Sequence, residues 1–210
     1  MTNFDKDLSK EKILAQYLDT IYATLKYNGE RVSDMDLQFK GVDIIIYYKG
    51  KKYAIDEKAQ LHYLNKDLPT FTFELSYLNK QKKLKKGWLF DEAKLTQFYF
   101  LVTGIYLNNG TTLSKPSDIK KVKIMSVNRR KLIEYLAKVN LTEEKLNQYD
   151  TYFRKSLLFG KNNIQELDEK KQGRLYFTAH LSEKPMNLQL KLAFLTKIGI
   201  GKVIYPPQQK

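Results

Sequence analysis

The sequence predicts an α/β fold in which helices flank a central β-sheet. Apolar residues recur at helical spacing near the N-terminus, which predicts a first amphipathic helix from about Asp7 to Tyr27. An apolar hairpin and further β-branched and aromatic runs follow this helix. With 210 residues and 42% hydrophobic content, the chain can bury a full core. We expect one domain over residues 1–210, with its functional core in 1–110 and additional helices and strands in 111–210.

The first half of the chain is predicted to contain the helix, the hairpin and two further strands. Asn28-Gly29 is the expected end of the helix, because both residues are frequent helix terminators. The hairpin occupies residues 41–60. Alternating and aromatic residues then predict strands over 70–77 and 98–107, and Asn108-Asn109-Gly110 is the turn after the second.

The second half is predicted to add helices and strands. Asn128 and Thr142 are suitable N-caps, which predicts surface helices that run from them to about Val139 and Leu158. Two alternating segments near the C-terminus predict strands, and the continuation of the second fits either a helix or a strand: residues 174–180, 185–190 and 191–197.

The charge of the chain points to a polyanionic partner. The formal net charge is +14 and the isoelectric point is about 9.6. A basic surface attracts nucleic acids and gains free energy when counterions leave the phosphates. Nucleic acid is therefore the expected partner, although a lysine-rich proteome would produce the same excess of charge without one.

Composition also indicates the cellular compartment of the protein. The chain has no cysteine, which excludes a disulfide framework and a cysteine-based zinc site and suits a reducing cytoplasm. The N-terminus lacks the apolar core of a signal peptide, and no apolar run is long enough to span a bilayer. We expect a cytoplasmic protein with no membrane partner.

The hairpin carries charged residues inside otherwise apolar strands. If Lys49-Gly50 is a two-residue loop, Asp43 on the first strand faces Asp56 on the second. Lys58 shares the face of Asp56 because side chains alternate along a strand, and Glu57 points the other way. Burying such charges costs free energy, so we expect them to have a structural or functional role. A structural alternative is that the aspartates lie at exposed strand ends, with Lys58 as a surface salt-bridge partner.

An Asp followed after a short hairpin by Asp-x-Lys resembles the catalytic core of the PD-(D/E)xK nuclease superfamily. The match covers Asp43, Asp56 and Lys58, and Gly41 precedes the first strand as in many such nucleases. Val42 stands where the pattern nominally has Pro. Other Asp/Glu-x-Lys triplets lie outside apolar strands; they begin at Glu92, Asp118, Glu143, Asp168 and Glu169.

The resemblance implies a restriction-endonuclease-like core with a mixed central sheet, and a metal-dependent nuclease activity. Asp43, Asp56 and the backbone carbonyl of Glu57 are then the expected ligands of Mg²⁺ or Mn²⁺. Lys58 is expected to position or help deprotonate the attacking water and to stabilise the transition state. Phosphodiester hydrolysis, with DNA as the expected substrate in restriction, defence or mobile-element processing, is the function that this implies.

Three further residues are candidates for the same site. Gln60 joins the face of Asp56 and Lys58 if the strand continues, where it would orient water or a phosphate oxygen. Many members of the superfamily take an acidic residue from the first helix, and Glu11 is the candidate here, ahead of Asp19. Glu74 stands between apolar residues on the following strand, as an accessory ligand or a structural hydrogen-bonding group.

A lysine-rich segment is the candidate surface for phosphate binding. It follows the 70–77 strand, so we expect a basic loop that leaves the same sheet as the acidic site, or else a solvated loop without a ligand. Its basic residues are Lys80, Lys82, Lys83, Lys85 and Lys86.

Two other functions remain open at this stage. The chain could be a non-catalytic nucleic-acid-binding module that retains the nuclease fold, or a protein of a mobile element or defence system whose charge binds an acidic partner. The residues do not distinguish DNA from RNA, or endonuclease from exonuclease action. Because many enzymes of this superfamily dimerise to cut two strands, a homodimer is among the expected assemblies.

Overall fold

The computed structural model describes residues 3–206, with side chains from residue 8 onward. This part of the chain is mixed α/β, with two sheets and five α-helices. It divides into two compact units, each with one sheet. The first comprises Met1–Leu68, Leu95–Val127 and Lys202–Lys210; the second comprises Pro69–Lys94 and Asn128–Gly201. The predicted division at residue 110 falls within the first unit. That both units act as one domain stays a prediction.

The first unit contains a mixed sheet of six strands. Its elements in chain order are α1 (Asn3–Thr24), β1 (Asn28–Arg31), α2 (Met35–Phe39), β2 (Ile44–Tyr48), β3 (Lys51–Ala59), β6 (Phe98–Leu107), β7 (Ile119–Asn128) and β11 (Gly201–Tyr205). The strand order is β1-β2-β3-β6-β7-β11. β1, β2 and β3 are antiparallel neighbours, whereas β3 and β6 are parallel. The expectation of an α/β fold with a mixed sheet is confirmed.

Helix α1 covers one face of this sheet. Its apolar residues recur at three- and four-residue spacing, so they form one stripe that packs on the strands. The buried members are Leu14, Leu18, Ile21 and Tyr22, which join a core with Ile44, Ile55 and Val102. The predicted end of the helix at Asn28-Gly29 is wrong, because both residues belong to β1 and pair with β2. A Cβ on Gly29 would lie 2.9 Å from the terminal methyl group of Ile44, which would have to shift to make room for it.

The β2–β3 hairpin has the predicted register. Lys49 and Gly50 form its loop with φ values of 51° and 73°, the left-handed conformation that both central residues of a type I′ turn need. Ile44 then pairs with Ile55, and Tyr48 with Lys51. The chain continues the strand to Ala59, where a short 3₁₀ turn over Leu61–Tyr63 begins.

The second unit contains five strands and three helices. They are β4 (Thr70–Leu78), β5 (Leu84–Lys86), α3 (Arg129–Lys138), α4 (Glu143–Lys155), β8 (Gly160–Asn162), β9 (Gly173–Phe177), β10 (Met186–Lys191) and α5 (Leu192–Lys197). The strand order is β5-β4-β10-β9-β8. The expectation that the basic segment leaves the same sheet as the acidic site is wrong, because β4 pairs with β5 and β10 instead of joining β3.

The capping predictions in this unit are confirmed. The Asn128 side chain accepts from the Lys131 N–H at 2.9 Å, and Thr142 accepts from the Lys145 N–H at 3.2 Å. Helix α4 ends at Lys155, three residues before the predicted end. The ambiguous segment before Lys197 is the helix α5.

None of the helices in the described part of the chain is both long enough and apolar enough to cross a membrane.

Candidate active site

Asp43 and Asp56 face each other next to the start of the hairpin. Asp43 immediately precedes β2, and its N–H donates at 2.9 Å to the carbonyl of Ile55, the residue that pairs with Ile44. Its Oδ2 accepts from the Glu57 N–H at 2.7 Å, so a main-chain donor fixes the carboxylate. Asp56 lies in the interior of β3 and is only 2% exposed. The register therefore brings together the two carboxylates that the sequence paired.

Lys58 completes the predicted triad. Its Nζ lies 2.5 Å from Asp56 Oδ1, and its side chain is 30% exposed. The contact follows from the alternation of β3, which places Asp56 and Lys58 on one face. One ammonium group therefore stands beside two carboxylates, which leaves the cluster with a net negative charge when all three groups are ionised.

Burial raises the pKa of Asp56 to about 7. The Lys58 ammonium opposes this shift, whereas the neighbouring Asp43 carboxylate adds to it. Desolvation outweighs the ion pair because Asp56 is almost fully enclosed while Lys58 remains partly in water. Asp56 therefore changes its charge near neutral pH, where an ordinary aspartate is fully ionised.

Glu57 points to the opposite face of β3, as predicted. Its carboxylate accepts from the Tyr22 hydroxyl at 2.5 Å and from the Arg31 guanidinium at 2.6 Å. Burial raises the pKa of Glu57, and Arg31 acts against that shift. Arg31 also contacts Asp19 at 2.8 Å, so Asp19 of α1 is engaged in this ion-pair network. The network joins β1, β3 and α1.

Replacing Arg31 by Met is expected to destabilise the protein by about 3 kcal/mol, because the largely buried Glu57 carboxylate loses its ionic partner. The loss should be smaller at acid pH, since protonation of Glu57 removes the unpaired charge. Urea unfolding at two pH values measures both effects. Adding Glu57→Gln should restore part of the stability. A double variant as unstable as Arg31→Met would contradict this assignment.

Other predicted ligands are placed less directly. Glu11 of α1 lines a cavity of about 460 Å³ together with Asp43, Arg31 and Lys58. Gln60 follows the last residue of β3 and precedes the 3₁₀ turn, so strand alternation does not place it on the face of Asp56. Its role stays a prediction.

Glu74 belongs to the other sheet. It lies on β4 in the second unit, where it pairs in register with Asn187. Among the side chains that the structure describes, residues 8–206, no three of His, Cys, Asp or Glu form a metal-binding group. The acidic part of the site in the first unit is therefore the pair Asp43 and Asp56. The remaining predicted metal ligand is the main-chain carbonyl oxygen of Glu57.

The lysine-rich segment forms the β4–β5 hairpin of the second unit. Its side chains differ in their ionic contacts. Lys86 Nζ lies 2.7 Å from a Glu143 carboxylate oxygen and 3.4 Å from one of Glu92. Lys82 Nζ donates to the Ser182 carbonyl at 3.3 Å. The remaining lysines of the segment, Lys80, Lys83 and Lys85, are exposed.

Sequence reasoning missed two residues that contact Glu57. Tyr22 fits the apolar stripe of α1, and nothing in the sequence singles out Arg31. The one available signal was Glu57 itself, a carboxylate in an apolar strand that needs a buried partner. Its position in the chain does not identify that partner, because the contact spans 26 residues.

Comparison with known proteins gives no relative: no family model, no curated protein and no solved structure matches the chain. The function must therefore be argued from the site alone.

Proposed function

We propose that this protein is a metal-dependent nuclease that hydrolyses phosphodiester bonds, with DNA as the expected substrate. The observation that carries the proposal is the buried Asp56, which faces Asp43 across the hairpin and contacts Lys58 at 2.5 Å. The leading helix and the mixed sheet agree with the fold that the PD-(D/E)xK resemblance implies. Together these features favour a restriction-endonuclease-like core.

The burial of Asp56 counts against a purely structural salt bridge. A surface pair would leave the carboxylate in water, where its pKa would stay low and the pair would contribute little. Instead, Asp56 is enclosed and its pKa is about 7, so ionising it at neutral pH costs free energy of folding. Titratable groups held at such a cost are typical of functional sites.

The donor set fits a hard divalent cation. Asp43 and Asp56 supply adjacent carboxylate oxygens, the donors that Mg²⁺ and Mn²⁺ prefer, and their combined charge exceeds that of Lys58. Asp43, Asp56 and the Glu57 carbonyl would hold the ion. When bound, it would supply electrophilic stabilisation of the phosphate and a lower pKa for water.

The remaining roles in the proposed hydrolysis fall to other groups of the site. Hydrolysis adds water across a P–O bond and yields a phosphate monoester and a free hydroxyl group. Lys58 is partly exposed and cationic, so it would orient the water and offset negative charge that develops on the phosphate. The Glu57 N–H holds Asp43 in place, and Arg31 pairs with the Glu57 carboxylate of β3.

A non-catalytic nucleic-acid-binding module is the second candidate. The small number of carboxylates at the site favours this candidate. Within the described residues, no third carboxylate joins Asp43 and Asp56 to form a metal-binding group. This module would bind nucleic acid in a salt-dependent way without cutting it. A change at Asp56 would leave its affinity unaltered.

The direct test incubates the purified protein with plasmid, linear duplex, single-stranded DNA and RNA, each with Mg²⁺, Mn²⁺ or EDTA. The proposal predicts cleavage with metal only, and the products on the four substrates identify the nucleic acid and the mode of cutting. Salt-sensitive binding with no cleavage of any substrate would select the binding module instead.

The basic hairpin gives a prediction on binding. Replacing the exposed Lys85 by Ala should lower the salt dependence of DNA affinity by about 0.9 in the log–log slope, as expected for one lost phosphate contact. Lys86→Ala should change it less, because the Lys86 ammonium already contacts Glu143. Titrations at several salt concentrations measure both slopes. Equal slopes for both variants and the parent would remove this hairpin from the nucleic-acid interface.

A further inference from the structure

The first unit has a second concave feature, which the proposed nuclease chemistry does not use. It is a pocket of about 260 Å³ on the face of the sheet that α1 covers, next to the chain that follows the end of α1. Aromatic residues dominate its lining, which also includes two isoleucines and one serine: Tyr27, Tyr48, Tyr53, Phe98, Phe100, Ile46, Ile55 and Ser126.

The rings of the pocket pack against one another in pairs. Tyr53 and Phe98 meet edge to face, with centroids 5.6 Å apart and an angle of 80°. Tyr27 and Tyr48 meet at 6.0 Å and 76°. Tyr27 also lies 6.5 Å from Phe100, and Phe100 is buried, so Tyr48 is the most exposed ring of the pocket. Tyr48 is 48% exposed.

Three lysines are close in sequence to residues that line this aromatic pocket. Lys49 Nζ lies 5.4 Å from the centroid of the Tyr48 ring. Lys51 shares the face of Tyr53 by strand alternation, and Lys26 directly precedes Tyr27. All three lysines are exposed. The pocket therefore combines an apolar, planar interior with the ammonium group of Lys49 next to its most exposed ring.

We propose that this aromatic pocket binds an unpaired base of a single-stranded nucleic acid, with the lysines contacting the adjoining phosphates. Its volume is below the ~300 Å³ at which pockets for whole drug-sized ligands begin, which suits one planar ring system. Stacking on aromatic rings beside lysines is how proteins bind single strands without reading their sequence. The inference goes beyond the proposed function, because such binding needs neither metal nor cleavage.

The test measures anisotropy of a labelled short oligothymidylate and of a labelled duplex, with the full chain and with EDTA present. Tyr48→Ala should weaken single-strand binding about tenfold, the effect of losing one stacked base, and leave duplex binding unchanged. Tyr48→Phe should retain the affinity, because the ring is kept.

Tyr63 provides a matched control. It is 47% exposed and has Lys66 Nζ at 5.8 Å from its ring centroid, but it does not line the pocket. Tyr63→Ala should bind single strands as the parent does. Equal losses for both alanine variants, no loss for Tyr48→Ala, or no single-strand binding by the parent would overturn the proposal; the last result would leave an acidic protein as the alternative occupant. Because no cleavage is measured, the outcome is independent of the nuclease assignment.

Discussion

Replacing Asp56 by Asn is expected to lower metal-dependent cleavage about a thousandfold, since the change removes one of the two carboxylates proposed to hold the ion. Lys58→Ala should also abolish most of the activity. Single-turnover assays with saturating metal measure the chemical step without a contribution from product release. Residual cleavage close to that of the parent in either variant would exclude the proposed site.

Two controls separate catalysis from charge and folding. Asp36→Asn makes the same charge change at an exposed position in the first turn of α2, and should leave cleavage intact. Combining Asp43→Asn with Asp56→Asn should cost little more than either change alone, because residues that act as one unit are not additive. Multiplicative losses would indicate that the two carboxylates act independently.

The same Asp56→Asn substitution is expected to stabilise the metal-free protein at neutral to alkaline pH. The pKa of Asp56 is raised from 3.8 to about 7, so the unfolded carboxyl ionises at a lower pH than the folded one. The free energy of unfolding therefore falls as the pH rises from 3.8 through 7, and the ionisation of Asp56 accounts for a loss of up to about 4 kcal/mol. Asparagine does not titrate and avoids that cost, although it gives up the ion pair with Lys58.

We expect the Asp56→Asn variant to exceed the parent in stability by about 2–4 kcal/mol near pH 8, and the difference to close toward pH 4. Urea unfolding across this range measures it. Metal should narrow the difference: a free ion at ten times its dissociation constant stabilises only the parent, by about 1.4 kcal/mol. A pH-independent difference, or equal stabilisation of both proteins by Mg²⁺, would contradict the account of Asp56.

Local signals in the sequence were enough to predict that Asp43, Asp56 and Lys58 lie close together. The Lys49-Gly50 loop fixes the hairpin register through the turn type, and strand alternation then places Asp43, Asp56 and Lys58. The spacing of apolar residues likewise predicted α1, and the side chains of Asn128 and Thr142 predicted two helix starts. Each of these inferences depends on interactions between residues that are close in sequence.

The same reasoning does not predict which strands and side chains pair when they are far apart in the sequence. Nothing local indicates that β4 pairs with β10 rather than joining β3, since both arrangements bury the same alternating face. The strand β1 has only four residues, too few for a periodic signal. The contact of Lys86 with Glu143 and that of Arg31 with Glu57 likewise connect distant segments. The tertiary fold alone decides which lysines of the basic hairpin remain available to phosphates.

The most direct test of the central claim is anomalous diffraction from crystals of the full chain soaked with Mn²⁺. The account predicts a manganese peak in contact with both the Asp43 and Asp56 carboxylates, and no peak there in crystals of Asp56→Asn. A parent structure with the Lys58–Asp56 ion pair intact and no manganese at the two carboxylates would contradict it.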